Sequence, residues 1–183
     1  MITSIRKEVR EFLPAGLAVI TISDTRTAAD DKSGDTLVDR IEASGHRLVG
    51  RQIVRDDIRQ IRSAVRKLVK RGDVDVVITT GGTGLTGRDV TIEALRPLFD
   101  KEIEGFSVVF HMISFAKIKT STMQSRATAG IIEGTYIFCL PGSPGACRDG
   151  WDEILLHQLD YRHHPCNFIE IMPRLEEHLR RGI

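Results

Sequence analysis

Short, nearly continuous apolar runs alternate along this chain with longer segments whose apolar residues recur at helical spacing. The short runs are rich in β-branched residues, which is typical of strands buried on both faces of a parallel sheet. The longer segments are typical of amphipathic helices that cover such a sheet. Strands are predicted at residues 17–23, 48–54, 75–80 and 135–140.

Helices are predicted between and after these strands. The clearest one carries Ile58, Ile61, Val65 and Leu68 on one face, with Arg and Lys between them. Strands that alternate with helices predict an α/β fold with a doubly wound, mostly parallel sheet. The remaining helices are predicted at residues 34–44, from about 91 to a break at Pro97, at 105–115, at about 151–159, and in a short piece near 175–179.

The 183 residues suit a single domain. Residues 1–14 are of mixed charge and end at Pro14, so we expect an N-terminal arm outside the core, followed by one domain over residues 15–183.

Composition narrows the class of protein. Because the chain contains 26 basic and 25 acidic residues, it lacks the basic excess of a general nucleic-acid binder. The three cysteines, Cys139, Cys147 and Cys166, include no Cys-x-x-Cys pair, which favours neither disulfides nor zinc and predicts a cytoplasmic protein. No apolar run approaches the roughly 20 residues that span a membrane, and we expect no signal peptide.

The strongest local signal is a glycine loop, Gly81-Gly82-Thr83-Gly84, that directly follows the strand at 75–80. Glycines let a backbone approach a ligand closely, and ligands of open α/β sheets bind beyond the carboxyl ends of strands. The loop matches neither the Walker A nor the dinucleotide-binding pattern. It is interpreted as a ligand-binding loop, with a simple tight turn as the alternative.

Carboxylates follow two of the strands. Asp89 lies five residues after the glycine loop, and Asp56 and Asp57 follow the strand at 48–54. Carboxylates from separate loops that face one pocket could hold Mg²⁺ beside a phosphate. The alternative for Asp89 is a helix cap, and for Asp56 and Asp57 it is a first-turn acid that favours the helix dipole.

Three further polar segments could contact a ligand. Ser23 to Arg26 follows the first strand, and Pro141-Gly142-Ser143-Pro144-Gly145 follows the strand at 135–140. The hydroxyl-rich stretch Thr120 to Arg126 could bind phosphate through Ser121, Thr122 and Arg126. The alternatives are an ordinary turn for residues 141–145 and a solvated loop for residues 120–126.

These motifs together resemble the molybdenum cofactor biosynthesis protein B and molybdopterin adenylyltransferase family. The similarity is carried by Thr79-Thr-Gly-Gly-Thr-Gly-Leu-Thr-Gly-Arg-Asp-Val-Thr91 and covers about residues 16–170. Further motifs occur in the family's order: Ser23-Asp24-x-Arg26, Ser33-Gly34, Glu104-Gly105-Phe106, Thr120-Ser121-Thr122, Ser125-Arg126 and Pro141-Gly142-Ser143.

The resemblance implies a three-layer α/β/α fold, a homo-oligomer (trimer or hexamer), and molybdopterin with ATP and Mg²⁺ as ligands. It implies transfer of AMP from ATP to the molybdopterin phosphate. Asp89 would be the essential carboxylate at the Mg²⁺-nucleotide site and Asp56 the second acid. The binding residues would be Gly81, Gly82, Thr83, Gly84, Ser23, Ser121, Thr122, Pro141, Gly142 and Ser143.

The alternative within the same family is a non-catalytic molybdopterin-binding or scaffold protein, acting with other molybdenum-cofactor enzymes. The run Gly87-Arg88-Asp89-Val90-Thr91 is closer to the pattern of active members, and it favours the enzyme.

Overall fold

A computed structural model describes residues 10–180, which form a six-stranded sheet with helices on both faces. The strand order is β2-β1-β3-β6-β5-β4, in which the first four strands are parallel and β5 is antiparallel to both of its neighbours, β6 and β4. The strands are β1 (Gly16–Ile22), β2 (Arg47–Val54), β3 (Val76–Thr80), β4 (Lys101–Glu102), β5 (Thr128–Ile132) and β6 (Thr135–Leu140).

The helices lie between the strands in the order that the sequence predicts. The α5 helix continues as a π-helical turn, Trp151–Leu155, into α6, and 3₁₀ turns follow α3 at Arg96–Leu98, α4 at Lys119–Gln124 and α7 at Met172–Arg174. The helices are α1 (Lys32–Ala43), α2 (Ile58–Val69), α3 (Thr91–Leu95), α4 (Glu104–Ile118), α5 (Pro144–Gly150), α6 (Leu156–Gln158), α7 (Phe168–Ile171) and α8 (Glu177–Arg180).

The strand residues alternate between two hydrophobic layers, which makes this a three-layer α/β/α domain. Val19 and Ile78 pack with α1, α4 and α5 on one face, while Ile20 and Val77 pack with α2 and α3 on the other. These four strand side chains are fully buried. The predicted α/β class and the doubly wound, mostly parallel sheet are confirmed.

The antiparallel edge of the sheet escaped prediction from the sequence. Strand β5 contains Ala129 and Gly130, residues of low strand propensity, which interrupt the run of its β-branched residues. Gly130 is required by tertiary packing, because the ring of Phe99 occupies the space that a Cβ would fill. The predicted break at Pro97 is confirmed, since α3 gives way there to the 3₁₀ turn.

The described part of the N-terminal segment contacts the body of the domain. Arg10 pairs with Glu170 at 2.9 Å and lies over the ring of Tyr161, while Phe12 packs on the His46 ring. Residues 1–9 of the predicted arm lie outside the described residues. Within residues 10–180, no helix is long and apolar enough to cross a membrane.

Candidate functional site

The predicted site segments converge because they follow parallel strands. Strands β1, β2, β3 and β6 all point the same way, so their carboxyl ends share one edge of the sheet. The Ser23 loop follows β1, Asp56 follows β2, the glycine loop follows β3, and the Pro141 loop follows β6. The topology alone therefore gathers four predicted segments, which are 118 residues apart at their extremes, from Ser23 to Pro141.

The glycine loop has a backbone that only glycine adopts readily. Gly81 has a φ of 105° and Gly82 a φ of 61°, both in the left-handed region. The loop is held at both ends: Gly81 N–H donates to Leu140 O at 3.0 Å, and Gly84 O accepts a hydrogen bond from Arg126 Nε at 2.8 Å. It is therefore a rigid feature of the fold. Gly142 from the facing loop packs directly against it, since a Cβ there would lie 3.0 Å from Gly81 Cα.

Asp89 folds back onto the glycine loop. Its Oδ2 accepts hydrogen bonds from Thr86 N–H at 2.9 Å and from the Thr86 hydroxyl at 2.6 Å. These bonds hold the pKa of the Asp89 carboxyl below its usual value, so it stays ionised. The helix-cap alternative is wrong for this residue, because α3 begins after Val90 and no side chain caps it.

Asp56 and Asp57 have separate tasks. Asp57 is the N-cap of α2, where its Oδ1 accepts a hydrogen bond from Gln60 N–H at 2.8 Å. Asp56 instead turns toward the glycine loop: its Oδ1 is 2.9 Å from the point where a Cβ on Gly82 would lie. Burial, followed by the negative charges of Asp24 and Asp89, raises the pKa of the Asp56 carboxyl.

Asp24 is a third carboxylate at this edge, and no pattern in the sequence distinguishes it from the other polar residues of its loop. Its Oδ1 accepts a hydrogen bond from Asp56 N–H at 3.3 Å, and its Oδ2 pairs with Arg88 at 3.2 Å. Arg88 is largely exposed, with 74% of its side chain accessible. The site thus places the exposed cation of Arg88 beside the carboxylates of Asp24 and Asp56. In the sequence, only its position next to Asp89 indicated that Arg88 could belong to the site.

Arg126 has a different task from the phosphate binding expected of it. Its Nε donates to Gly84 O at 2.8 Å, and its Nη2 donates to Asp89 O at 2.9 Å. The remaining guanidinium edge pairs with Glu93. Arg126 therefore links the glycine loop to α3, and its guanidinium group donates its hydrogen bonds to residues of this chain.

The profile of the probable molybdopterin binding domain family matches residues 18–161 of this chain. The chain belongs to this family. Molybdenum cofactor biosynthesis protein B of Escherichia coli K12 is 49% identical over 158 residues, which cover 86% of this chain and 93% of the relative. A probable molybdopterin adenylyltransferase of Methanocaldococcus jannaschii is 41% identical over 138 residues, covering 72% of this chain and 82% of that protein.

Solved structures give the same assignment. A crystal structure of a molybdenum cofactor biosynthesis protein B has a TM-score of 0.83 at 41% identity, covering 92% of this chain and 99% of the other. The tungsten cofactor synthesizing protein MoaB from Pyrococcus furiosus has a TM-score of 0.70 at 35% identity, covering 91% and 98%. The resemblance expected from the motifs is thereby confirmed.

The remaining residues predicted from the family pattern shape the walls of the site. The Ser23 hydroxyl oxygen accepts hydrogen bonds from the N–H groups of Thr25 and Arg26, each at 3.2 Å, and so turns the loop after β1. Arg26 then bridges to the facing wall by donating to Gly142 O at 2.9 Å. Ser143 caps α5 through Ala146 N–H at 3.1 Å, so residues 141–145 are at once a turn, a helix start and a wall of the site.

Ser121 and Thr122 are not joined to the glycine loop by any hydrogen bond within residues 10–180. Both lie in the 3₁₀ turn Lys119–Gln124, and the connection to the loop runs through Arg126, whose N–H donates to Thr83 O at 3.0 Å. The Thr122 hydroxyl is buried and has no hydrogen-bond partner among the residues that the structure describes. Their family roles in ligand binding stay predictions.

No group of three or more His, Cys, Asp or Glu side chains in the described chain could hold a metal ion. A cavity of about 450 Å³ that Asp100, Ile131 and Leu175 help to line contains none of the predicted site residues.

Proposed function

We propose that this chain acts in molybdenum cofactor biosynthesis by binding molybdopterin at the glycine loop and transferring AMP to it from Mg²⁺-ATP. A terminal phosphate oxygen of molybdopterin attacks the α-phosphorus of ATP. The bond from the α-phosphorus to the bridging oxygen breaks, and pyrophosphate leaves. The observation that carries the proposal is the convergence of Asp56 and Asp89 on the glycine loop in a chain of this family.

The chemistry of the carboxylates fits a magnesium ion. Burial and the charges of Asp24 and Asp89 make the ionised form of Asp56 unfavourable, and a nearby divalent cation would relieve this repulsion. Magnesium is usually held by one or two carboxylates together with substrate phosphates and water, so a larger protein cage is unnecessary. Bound there through Asp89 and Asp56, it would neutralise charge on the phosphates.

The protein's own contribution is position and charge. The fixed backbone of Gly81 to Gly84 allows a phosphate or a pterin ring to approach without a side chain in between. Arg26 and Arg88 offer positive charge at the two sides of the site. Transfer of a phosphoryl-type group depends mainly on such positioning and electrostatic stabilisation.

The test is release of pyrophosphate from ATP in the presence of molybdopterin. Wild-type protein should release it only when both Mg²⁺ and molybdopterin are present. Asp89→Asn should lower turnover by about 100-fold or more. Asp57→Asn is the matched control, because asparagine caps a helix as well as aspartate does, and it should retain turnover.

Two results would count against transfer. One is no pyrophosphate release by wild-type protein in an assay where a known adenylyltransferase is active. The other is full turnover by Asp89→Asn. Calorimetric binding of molybdopterin without any turnover would instead support the non-catalytic binding or scaffold protein of the same pathway.

A homo-oligomer, either a trimer or a hexamer, is part of the proposal. It is supported by an apolar surface along α4, formed by Val108, Val109, Met112, Phe115 and Ile118, which are 44% to 68% exposed. Contiguous exposed apolar surface is typical of protein interfaces. A second copy of this chain is the proposed occupant of this α4 surface.

A further inference from the structure

The exposed side of α2 carries positive charge without any acidic residue. The helix Ile58–Val69 contains no Asp or Glu. Helices of this kind usually interleave acids with bases four residues apart, which supports the helix. We call the cations Arg59, Arg62, Arg66, Lys67 and Lys70 the basic face of α2.

Four of the five cations of the basic face have no partner among the described residues, unlike Arg51 and Arg71. Arg59, Arg66, Lys67 and Lys70 are exposed, and none forms a side-chain hydrogen bond or an ion pair within residues 10–180. By contrast, Arg51 and Arg71, on either side of α2, both pair with aspartates at 2.7 Å. Four free positive charges are therefore available to a partner.

The arrangement is not explained by the stability of the helix. Arg66, Lys67 and Lys70 lie near the carboxyl end, where cations favour the helix dipole. Arg59 and Arg62 lie near the amino end, where the dipole disfavours them. The cations also repel one another along one side of the helix, which destabilises it further.

The surface of the basic face is concave. All five cations and Ser63 line one shallow hollow of about 420 Å³. Arg59 and Lys67 also line an adjoining hollow of about 570 Å³ along β2. From Arg59 to Lys70 the row of charges is about 16 Å long, at 1.5 Å per residue, which matches one face of a partner protein's helix or loop.

We propose that the basic face of α2 docks an acidic surface of a partner protein, one that presents a row of Asp and Glu side chains. The charges on this face exceed the chain's net charge of +1, so the rest of the chain is net acidic and would repel an extended nucleic acid. The face offers no aromatic side chain for stacking bases. The apolar side of α2 is buried in the core, so the helix cannot insert into a membrane surface.

The partner would lie beside the candidate site. Arg62 donates to Ala94 O at 2.8 Å and to Glu93 O at 3.1 Å, which links the basic face to α3. Glu93 in turn pairs with Arg126, which holds the glycine loop. A docked partner would thus be placed to pass a ligand to the glycine loop or receive one from it. The docking surface itself does not depend on the proposed transfer of AMP.

The experiment uses the full chain and a defined acidic probe, a poly-L-glutamate peptide of about 20 residues, in low salt. Nuclear magnetic resonance should show shifted amide signals along residues 58–70, and calorimetry should give the affinity. The triple charge reversal Arg59→Glu, Arg66→Glu and Lys67→Glu should weaken binding by at least about 10-fold. The matched control reverses three exposed cations elsewhere, Arg47→Glu, Lys101→Glu and Arg148→Glu, and should weaken binding less than about 2-fold.

Several results would overturn the proposal. Absence of binding to poly-L-glutamate would show that the basic face does not recognise acidic side chains. Equal losses of affinity in the two triple variants would show that only overall charge matters. Tighter binding of a 20-base-pair DNA or of anionic phosphatidylserine vesicles would assign the face to a different class of partner. Circular dichroism of each variant establishes that the fold is retained, and all these measurements are independent of turnover.

Discussion

The carboxylate of Asp56 lies against Gly82, with its Oδ1 2.9 Å from the point that a Cβ on that glycine would occupy. The loop after β2 and the loop after β3 therefore fit together only because position 82 has no side chain. This contact couples the shape of the glycine loop to the placement of an acidic group that the proposed reaction requires.

Gly82→Ala should damage both loops. The new methyl group would overlap the Thr91 hydroxyl and crowd Asp56, in a backbone with a φ of 61°. We expect a loss of roughly 1–3 kcal/mol of unfolding free energy, measured by urea denaturation. Gly72→Ala is the control, because nothing lies within 4 Å of its Cβ position. Equal stability of the two variants would contradict the proposed fit.

Asp56→Asn should stabilise the fold at neutral pH. Because the folded-state pKa of Asp56 is raised, the folded protein holds this proton more tightly than the unfolded chain does. Stability is then lost as the pH rises through the unfolded pKa toward the folded one. Removing the charge should raise the Tm at pH 7 by about 1–3 °C, and the difference should vanish at a pH below the unfolded value.

Calorimetric Tm values across that pH range test this linkage. Asp57→Asn is the matched control, since it preserves the α2 cap and should change the Tm little at any pH. A lower Tm for Asp56→Asn at pH 7 would show that the carboxylate is favourably bound in the folded protein. If Asp56 serves the proposed reaction and not the fold, Asp56→Asn should be more stable than the wild type and also inactive.

Arg126→Gln should loosen the glycine loop without unfolding the domain. The change removes hydrogen bonds to Gly84 O and Asp89 O and the pair with Glu93, at a cost of about 1–3 kcal/mol. Hydrogen exchange at the Thr91 amide, which donates to Gly82 O, should become at least about 10-fold faster.

Arg174→Gln is the comparison for this change, because it breaks an exposed pair with Glu177 that is three residues away. Such surface pairs contribute about 0–1 kcal/mol, so exchange at Thr91 should stay at the wild-type rate. Unchanged exchange in Arg126→Gln as well would show that the other loop contacts suffice.

Met112→Glu should dissociate the proposed oligomer. Met112 is 68% exposed at the centre of the α4 surface, and a buried, unpaired carboxylate in an interface is strongly unfavourable. Light scattering after size-exclusion chromatography should show a smaller species than the wild type. Leu179→Glu, at a side chain that is 67% exposed on α8, should leave the mass unchanged. A wild-type monomer would contradict the oligomer outright.

Much of the fold was predictable because its signals are local. The β-branched runs of β1, β3 and β6 and the helical spacing of α2 each lie within one short segment. Strand β5 was missed because Gly130, at its centre, is set by the packing of Phe99 and not by strand propensity. Local propensity cannot report a contact made by a residue 31 positions away.

By itself, the sequence determined the α/β class, the family, and the segments from which a site could be built, because glycine runs, β-branched runs and ordered motifs can be read along the chain. Only the tertiary structure decided which residue does which task. Asp57 caps α2, whereas Asp56 lies against the glycine loop. Asp89 does not cap α3, and Arg126 bonds to the glycine loop. The structure also places Asp24 and Arg88 at the site. Adjacent residues of the same type are equivalent in a sequence, and they differ only when the backbone sends their side chains in different directions.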